Sequence, residues 1–480
     1  MPIEDTGGLI EALEEAGELR RVTGQVDPDL EIAEILRRVM YSKGPAILFE
    51  DVKGHSMPVL GNAFGSEKRM QIALETEDFT EIGQRIVDMT RMEVPHGMLG
   101  KLRKLPELSK MGGAFPHVEK GGPVTEVTGE IPSLDALPVL KTWPGDAGRF
   151  ITLGLVATRH PDTGVRNLGV YRMQVVGKNQ LIMHWQKHKR GAHHSEIARE
   201  SGGRIEAAVI IGAEPATVFS AVAPVPEGLD KYLYAGIVRK EGIRTVQCRT
   251  IDLDVPANSE IVLEGYVDPA EMLEEGPFGD HTGYYTPPEE YPVFTITGMM
   301  RRKKPVYLTT IVGKPVLEDA YIGRVIERSF LPLIRMLQPE VVDFAMPPSG
   351  WFQGMAIASI KKQYPGQAKK VMMGLWGTGQ LSLTKMVIIV DHDVNVHDIH
   401  DVIWAMTTRA DAARDITIIR DAPTDTLDPA SPIVNLGSKM GIDATQKTPE
   451  EGYSRVIQEQ VQSDPDTAQM VDSRWESYGI

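Results

Sequence analysis

RNLGVYRMQVVGKNQLIMHWQKH, running from Arg166 to His188, is the stretch on which the reading of this chain turns. If it begins as a strand, Asn167, Gly169 and Tyr171 fall on one side and Leu168, Val170 and Arg172 on the other. An arginine directed toward an apolar face needs an anionic partner, because an unpaired buried guanidinium is costly. Alternation by itself favours the plainer alternative, an edge strand with Arg172 in solvent. Further on, His184 and His188 are spaced as on one face of a helix, yet they follow the strand-like run Leu181-Ile182-Met183. Together with His193 and His194 they are candidate metal ligands, although such histidines are more often plain surface or core residues.

Working outward, the texture from about Leu137 to Val312 is that of β structure. Leu153–Thr158, Ala207–Ile211, Glu260–Val267 and Phe294–Met299 read as strands. Phe294–Met299 is followed by Arg301–Pro305 and then Val306–Val312, a hairpin pattern. Many short strands separated by turns predict a barrel-like sheet. Before this region the chain reads as α/β. Leu9, Ile10 and Leu13 share a helical face, as do Ile32, Ile35, Leu36 and Val39, and Ala46–Phe49 fits a strand. Lys101–Val127, rich in Gly, Pro and Lys, reads as a connector. After Pro315 the pattern alternates: a helix over Glu318–Leu337, a helix over Gln367–Trp376, a strand at Lys385–Val390, a helix near Asp398–Thr408 and a strand at Ile416–Ile419. That order predicts an α/β layer domain, with the polar tail after Thr448 ending in a surface helix or loose segment.

Composition narrows the function. The 480 residues exceed one compact core, and the 42% hydrophobic and 24% charged fractions are those of a globular protein. A net charge of −15 repels phosphate backbones and anionic membranes, which argues against nucleic-acid binding. Cys248 is the one cysteine, so an internal disulfide and a Cys-rich zinc site are both ruled out. The opening MPIEDTGG has neither a basic leader nor an apolar core, and no run of 18 apolar residues occurs, so the expected setting is cytoplasmic with no membrane span. No P-loop or H-E-x-x-H pattern is present, and the glycines of Gly374–Gly379 do not match a dinucleotide-binding fingerprint.

A second segment carries acids: Glu274-Glu275-Gly276-Pro277-Phe278-Gly279-Asp280-His281-Thr282-Gly283-Tyr284. Gly-Pro-Phe-Gly cannot continue a helix or regular strand, so a tight loop can bring Glu275 and Asp280 near each other. Carboxylates sharing a pocket push their pKa values apart, which equips one to hold a proton near neutral pH. A solvated acidic turn fits this segment equally well.

Taken together these segments resemble the UbiD family of prenylated-flavin decarboxylases, and most closely its 3-polyprenyl-4-hydroxybenzoate branch. The resemblance also takes in Thr142-Trp143-Pro144, Val341-Val342-Asp343-Phe344, Ile360-Lys361-Lys362-Gln363-Tyr364, Val371-Met372-Met373-Gly374, Asp401–Arg409 and Gly437–Thr445, in register from about Leu137 to Thr445. It implies an α/β multidomain protein: an N-terminal α/β domain (residues 1–120), a central FMN-binding split β-barrel (121–315) and a C-terminal α/β layer domain (316–480) with oligomer contacts. It implies a carboxy-lyase that removes carboxylate from an aromatic or α,β-unsaturated acid by covalent catalysis with prenylated FMN, a hydroxybenzoate-like acid being favoured. Asp280 matches the family's proton donor, and Glu275 and Arg172 the ion pair that shapes the pocket. Cofactor positions fall on Asn167, Val170, Tyr171, Arg172, His184, Trp185, Gln186, Lys189, Arg190, Lys231 and Lys385.

The family holds the flavin phosphate through a divalent metal, usually manganese, with potassium a further candidate ion. Asn167 and His188 match two of the metal ligands. The third, usually Glu, is Lys231 here, and an ammonium has no lone pair to give a metal. Either Glu227 or Asp230 supplies the oxygen, or the Lys231 charge offsets the phosphate directly. A flavin prenyltransferase as cofactor supplier and a homo-oligomer, dimer or hexamer, are implied partners. Two other classes stay open at this stage: a split-barrel flavin oxidoreductase and a metal-dependent hydrolase.

Overall fold

The structure, a computed structural model, describes residues 3–90 (side chains to 88), 113–129, 133–186, 189–225, 229–454 and 460–479. Much of the connector read at Lys101–Val127, together with His188 and Glu227, lies outside these residues.

The N-terminal segments form where local chemistry starts and stops them. Asp5 caps the helix Thr6–Glu15, its Oδ1 accepting the Gly8 N–H at 2.7 Å, and Leu9, Ile10 and Leu13 are buried. The helix Glu31–Tyr41 buries Ile32, Leu36 and Met40. The fully buried strand Ala46–Phe49 lies parallel to Leu19–Val22 and antiparallel to Val59–Gly61.

The fourth strand of this sheet corrects the hairpin expectation. Tyr307–Leu308 runs parallel to Val59–Gly61, whereas Glu289–Arg301 pairs with Ile261–Glu275. The segment between them is pinned rather than turned back. The backbone N–H of Arg302 donates to Glu260 O at 3.0 Å, its guanidinium reaches Asp5 at 2.8 Å, and the Val306 N–H donates to Glu260 Oε2 at 3.0 Å.

The central sheet explains the position of Arg172. Its strand order is Phe150–Ile151, Met173–Val175, Gln180–Met183, Glu289–Arg301, Ile261–Glu275, Ile205–Ile211, Leu155–Arg159 and Arg166–Val170, with Val127–Thr128 pairing separately with Glu289–Arg301. Arg166–Val170 is therefore one edge, and Met173–Val175 stands next to the other, yet only Tyr171 and Arg172 lie between them in sequence. Three Cα steps span at most roughly 11 Å. The two ends of the sheet must curl toward each other, giving a half barrel with Arg172 at the seam. Period-2 alternation places Leu155, Ala157, Ala208 and Ile210 on the face packed against the N-terminal helices. Val156, Ala207, Val209 and Ile211 face the other way, in a core that includes Tyr171 and Trp185.

The C-terminal sheet has five strands, in the order Val341–Ala345, Met355–Ile360, Met386–Asp391, Leu436–Ala444, Ile416–Pro423. Alternate residues of its central strands feed two cores, with Ala356, Ala358, Val387 and Ile389 on one face and Ile357, Ile388 and Val390 on the other. Sheets covered on both faces have such continuous apolar strands. The helix Glu318–Leu337 links the layers, with Val325 in the N-terminal core and Leu331 and Ile334 in the C-terminal one. The helix Pro465–Arg474, capped by Asp464, buries none of its residues.

Candidate active site

At the seam of the half barrel, Arg172 meets both acids of the second segment. Glu275 ends the long strand Ile261–Glu275. Gly276, at φ +96°, takes a backbone conformation that L side chains rarely adopt, and it turns the chain into the short strand Phe278–Gly279. Asp280 follows directly. Arg172 Nε and Nη2 donate to Glu275 Oε1 and Oε2 at 2.7 and 2.9 Å, a bidentate pair. Its Nη1 donates to Asp280 Oδ2, and Nη2 also donates to Thr286 Oγ1 at 3.0 Å. The Phe278 ring lies 4.7 Å beneath the guanidinium carbon. The strand Arg166–Val170 ends before Arg172, so simple alternation does not set its direction. Curling of the sheet does, and it supplies the anionic partners that a buried guanidinium requires.

Electrostatics fixes the charge of Glu275. Burial favours neutral Glu275, but hydrogen bonds from His184 (Nδ1 at 3.2 Å) and Arg172 outweigh it and hold the carboxyl at about 2. A guanidinium thus bridges the two carboxylates that the loop brings together. His184 is pushed below the ordinary histidine range by burial and by the Arg172 charge, so it is neutral, with Nδ1–H directed at Glu275.

The loop carrying the acids is held by residues that sequence reading passed over. Asp146 Oδ1 accepts the Gly279 N–H at 2.8 Å, while Oδ2 accepts the N–H groups of Trp143 and Thr142 at 2.8 and 3.2 Å. Gln174 Oε1 accepts the Gly276 N–H at 2.8 Å. A Cβ on Gly279 would stand 2.2 Å from Cδ1 of Trp143, whose indole N–H is fixed to Val312 O at 2.9 Å. Gly279→Ala is therefore expected to cost about 1–3 kcal/mol in chemical denaturation, as overpacking does. Gly148→Ala, with open space around its Cβ, is expected to be near neutral.

Beside this cluster lies a surface of unsatisfied donors and acceptors. Asn167 Nδ2, His184 Nε2 and Trp185 Nε1 are buried with no hydrogen-bond partner. Tyr171 is buried, its hydroxyl accepting the Gly191 N–H at 3.4 Å, and its ring meets the Trp185 ring edge-on at 6.3 Å. Val170 is half-buried against the core, and Gln186 O accepts the Lys189 N–H at 2.9 Å. Lys189 stands at the N-cap of the helix Arg190–Glu200, and Arg190 Nη2 donates to Val225 O at 2.6 Å. Lys231 is buried, its Nζ donating to Ala221 O and Ala223 O at 3.1 and 2.6 Å. Burial, with the charges of Arg190 and Lys189, pushes its pKa down to about 7. Among the described residues no carboxylate pairs with these three cations. Orphaned polar atoms beside an unpaired cationic cluster fit a flavin ring and its phosphate.

Of the expected metal ligands, His188 and Glu227 lie outside the described residues. Asp230 Oδ1 caps the helix Lys231–Arg239 through the N–H groups of Tyr232 and Leu233, and its Oδ2 pairs with Arg166 at 2.7 Å. Both its oxygens are thus engaged. Among the described residues no three His, Cys, Asp or Glu side chains are placed to hold a metal. His194 Nδ1 instead meets Thr158 Oγ1 at 3.0 Å, and the His193 and His194 rings stack edgewise on His160. Lys385 pairs with Asp428 at 3.0 Å, and no hydrogen bond joins it to the Arg172 cluster.

With this geometry in hand, comparison with known proteins is informative. The family profile described as 3-octaprenyl-4-hydroxybenzoate carboxy-lyase matches in three parts: its N-terminal domain over residues 10–86, its Rift-related domain over 117–315 and its C-terminal domain over 320–444. An uncharacterized protein of Archaeoglobus fulgidus is 50% identical over 476 residues, covering 99% of this chain and 98% of its own. The UbiD-class enzyme HmfF of Pelotomaculum thermopropionicum, solved in complex with FMN, is similar at 31% identity and TM-score 0.79, over 97% of this chain and 98% of that one. Vanillic acid decarboxylase of Sedimentibacter hydroxybenzoicus, in its closed form, superposes with TM-score 0.85 at 27% identity, over 99% of this chain and 98% of that one. By sequence over most of its length, and by fold, this chain belongs to the UbiD family of carboxy-lyases.

Proposed function

We propose that the chain catalyses reversible, non-oxidative decarboxylation of an aromatic or α,β-unsaturated acid, a hydroxybenzoate-like one being favoured, with prenylated FMN as cofactor. The observation that carries this reading is the convergence of Arg172, Glu275 and Asp280 beside the surface of orphaned polar atoms. When bound, the prenylated flavin supplies the electron sink that loss of CO2 from an sp² carbon demands and that no side chain provides. The protein's own part is protonation and orientation. Glu275, fixed by Arg172 and His184, stays ionised and locks the guanidinium in place. That leaves Asp280 to carry the proton to the carbon that has lost CO2, while Arg172 orients the acid group of the substrate. Asn167, Val170, Tyr171, Trp185 and Gln186 would line the flavin, and Lys189, Arg190 and Lys231 would face its phosphate.

The test is CO2–proton exchange on a panel of aromatic and cinnamic acids, using protein co-produced with a flavin prenyltransferase. Exchange that depends on the prenyltransferase supports the reading. Flavin reduction by NADH without CO2 release would replace it with a split-barrel oxidoreductase.

In place of a divalent metal, we propose that the Lys231 ammonium offsets the flavin phosphate. Its buried Nζ and the engagement of Asp230 support this. Metal analysis of reconstituted protein is expected to find no stoichiometric manganese, and EDTA is expected not to release FMN. Lys231→Gln should weaken FMN binding by about 10–100-fold, the loss of one charge-assisted hydrogen bond. One manganese per chain would overturn the idea.

The three-domain division at residues 120 and 315 and a homo-oligomer built on C-terminal contacts complete the proposal. The exposed Met470, Trp475 and Tyr478 around a helix with no buried residue support the latter. A cytoplasmic setting is proposed too; among the described residues no helix is long and apolar enough to cross a membrane.

A further inference from the structure

The side chain that follows Asp280 has a geometry of its own. His281 Nδ1 meets Asp319 Oδ2 at 2.5 Å, and its Nε2 stands 3.7 Å from Asp280 Oδ1. Asp319 is held at the start of the helix Glu318–Leu337, where its Oδ1 accepts the Ala320 N–H at 3.0 Å. The His281 ring meets Phe352 edge-on at 5.7 Å. The charged groups that act on the ring are Asp319, Asp280 and, from the C-terminal segment, Asp425, with Arg172 beyond Asp280. Burial favours a neutral ring, but these carboxylates outweigh it and raise its pKa to about 9. At neutral pH the ring is an imidazolium, with Nδ1–H committed to Asp319 and Nε2–H turned toward Asp280.

Exposure gives this arrangement a direction. The Asp280 side chain is 5% exposed and the His281 side chain 28%. Solvent therefore meets His281 before it meets the acid. Arg172 grips Asp280 Oδ2, while Oδ1, which accepts the His281 backbone N–H at 2.7 Å, is the oxygen nearer the imidazolium.

We propose that His281, aligned by Asp319, is a positioning residue that returns the proton to Asp280 between turnovers. The inference rests on Asp280 being the proton donor. After Asp280 has protonated carbon, the Nε2–H bond of His281 breaks as an Oδ1–H bond forms on Asp280. The ring is left neutral, with Nδ1–H still on Asp319, and Nε2 takes up a proton from hydronium or a buffer acid, replacing the one that leaves in the product C–H bond. A small approach closes 3.7 Å to hydrogen-bond length.

Two measurements on the full-length protein test this. In ¹³C-histidine NMR titrations His281 is expected to titrate near 9, and Asp319→Asn is expected to lower that by one unit or more. In CO2–proton exchange, run with 4-hydroxybenzoate or whichever acid of the panel exchanges fastest, the basic limb of the pH profile should follow the same shift. His281→Gln should lower kcat about 10–100-fold, within the range of lost acid–base assistance, with KM changed less than about 2-fold. A wild-type His281 that titrates near 6.5 overturns the proposal, and so does a basic limb that Asp319→Asn leaves in place. The two readings fail separately. Full turnover by Asp280→Asn removes the proton-donor role itself, whereas loss of turnover there with an unmoved limb in Asp319→Asn removes only the relay.

Discussion

Asp280→Asn is expected to fold, to bind FMN as the parent does, and to lose about 100–10,000-fold in turnover. That corresponds to about 3–6 kcal/mol of transition-state stabilisation, the worth of a positioned acid when proton transfer limits the rate. The substitution suits the question because it changes chemistry more than shape. The amide oxygen can still accept from Arg172, although its NH2 then faces the His281 N–H that Oδ1 accepts in the parent, and Arg172 keeps its bidentate pair with Glu275. What disappears is the carboxyl proposed to donate the proton, while Glu275 stays held at about 2 by two donors. Single-turnover exchange separates the outcomes. CO2 release without proton incorporation isolates the protonation step, while full turnover would remove Asp280 from the mechanism.

The two acids were easier to read from sequence than the arginine. Gly276-Pro277-Phe278-Gly279 excludes regular structure, so the closeness of Glu275 and Asp280 was a local inference, and the structure brings both onto Arg172. The inward direction of Arg172 was not local. Alternation favoured solvent, and only the closing of the half barrel across Tyr171 and Arg172 decides otherwise. Asp146, His281 and Asp319 were passed over because their partners are distant: Asp146 lies 133 positions from Gly279, and His281 lies 38 from Asp319. The helix Pro215–Val222 escaped for another reason. Seven of its residues are buried, Pro215 through Ala221, so it has no amphipathic stripe. The strands Met355–Ile360 and Leu436–Ala444 belong to a sheet covered on both faces, where alternation is weak. The false hairpin at Val306–Val312 shares the cause of the Arg172 case, a strand whose partner is set by a distant segment.

Arg172→Met is expected to destabilise the fold by about 3–5 kcal/mol and to abolish turnover, because it leaves two buried carboxylates, Glu275 and Asp280, without their shared counter-charge. Glu275 is 0% exposed. In the parent its pKa is depressed from 4.5 to about 2, so its contribution to stability is fully present above about 4.5 and is lost as pH falls toward 2. Without Arg172, burial becomes the leading influence and pushes the carboxyl above its ordinary value. The sign then reverses. The variant is most stable where Glu275 is protonated and loses stability as pH rises through 4.5 and beyond. His184 tempers the effect: free of the Arg172 charge, it can take a proton and pair with Glu275. Urea denaturation at several pH values between 4 and 8 reads the slope directly. Arg172→Met with Glu275→Gln should recover part of the loss and reduce the pH dependence, because one of the two buried charges goes with its partner while Asp280 remains. A single variant within about 0.5 kcal/mol of the parent, the range of ordinary surface changes, would mean that the guanidinium is not what holds this charge in the interior.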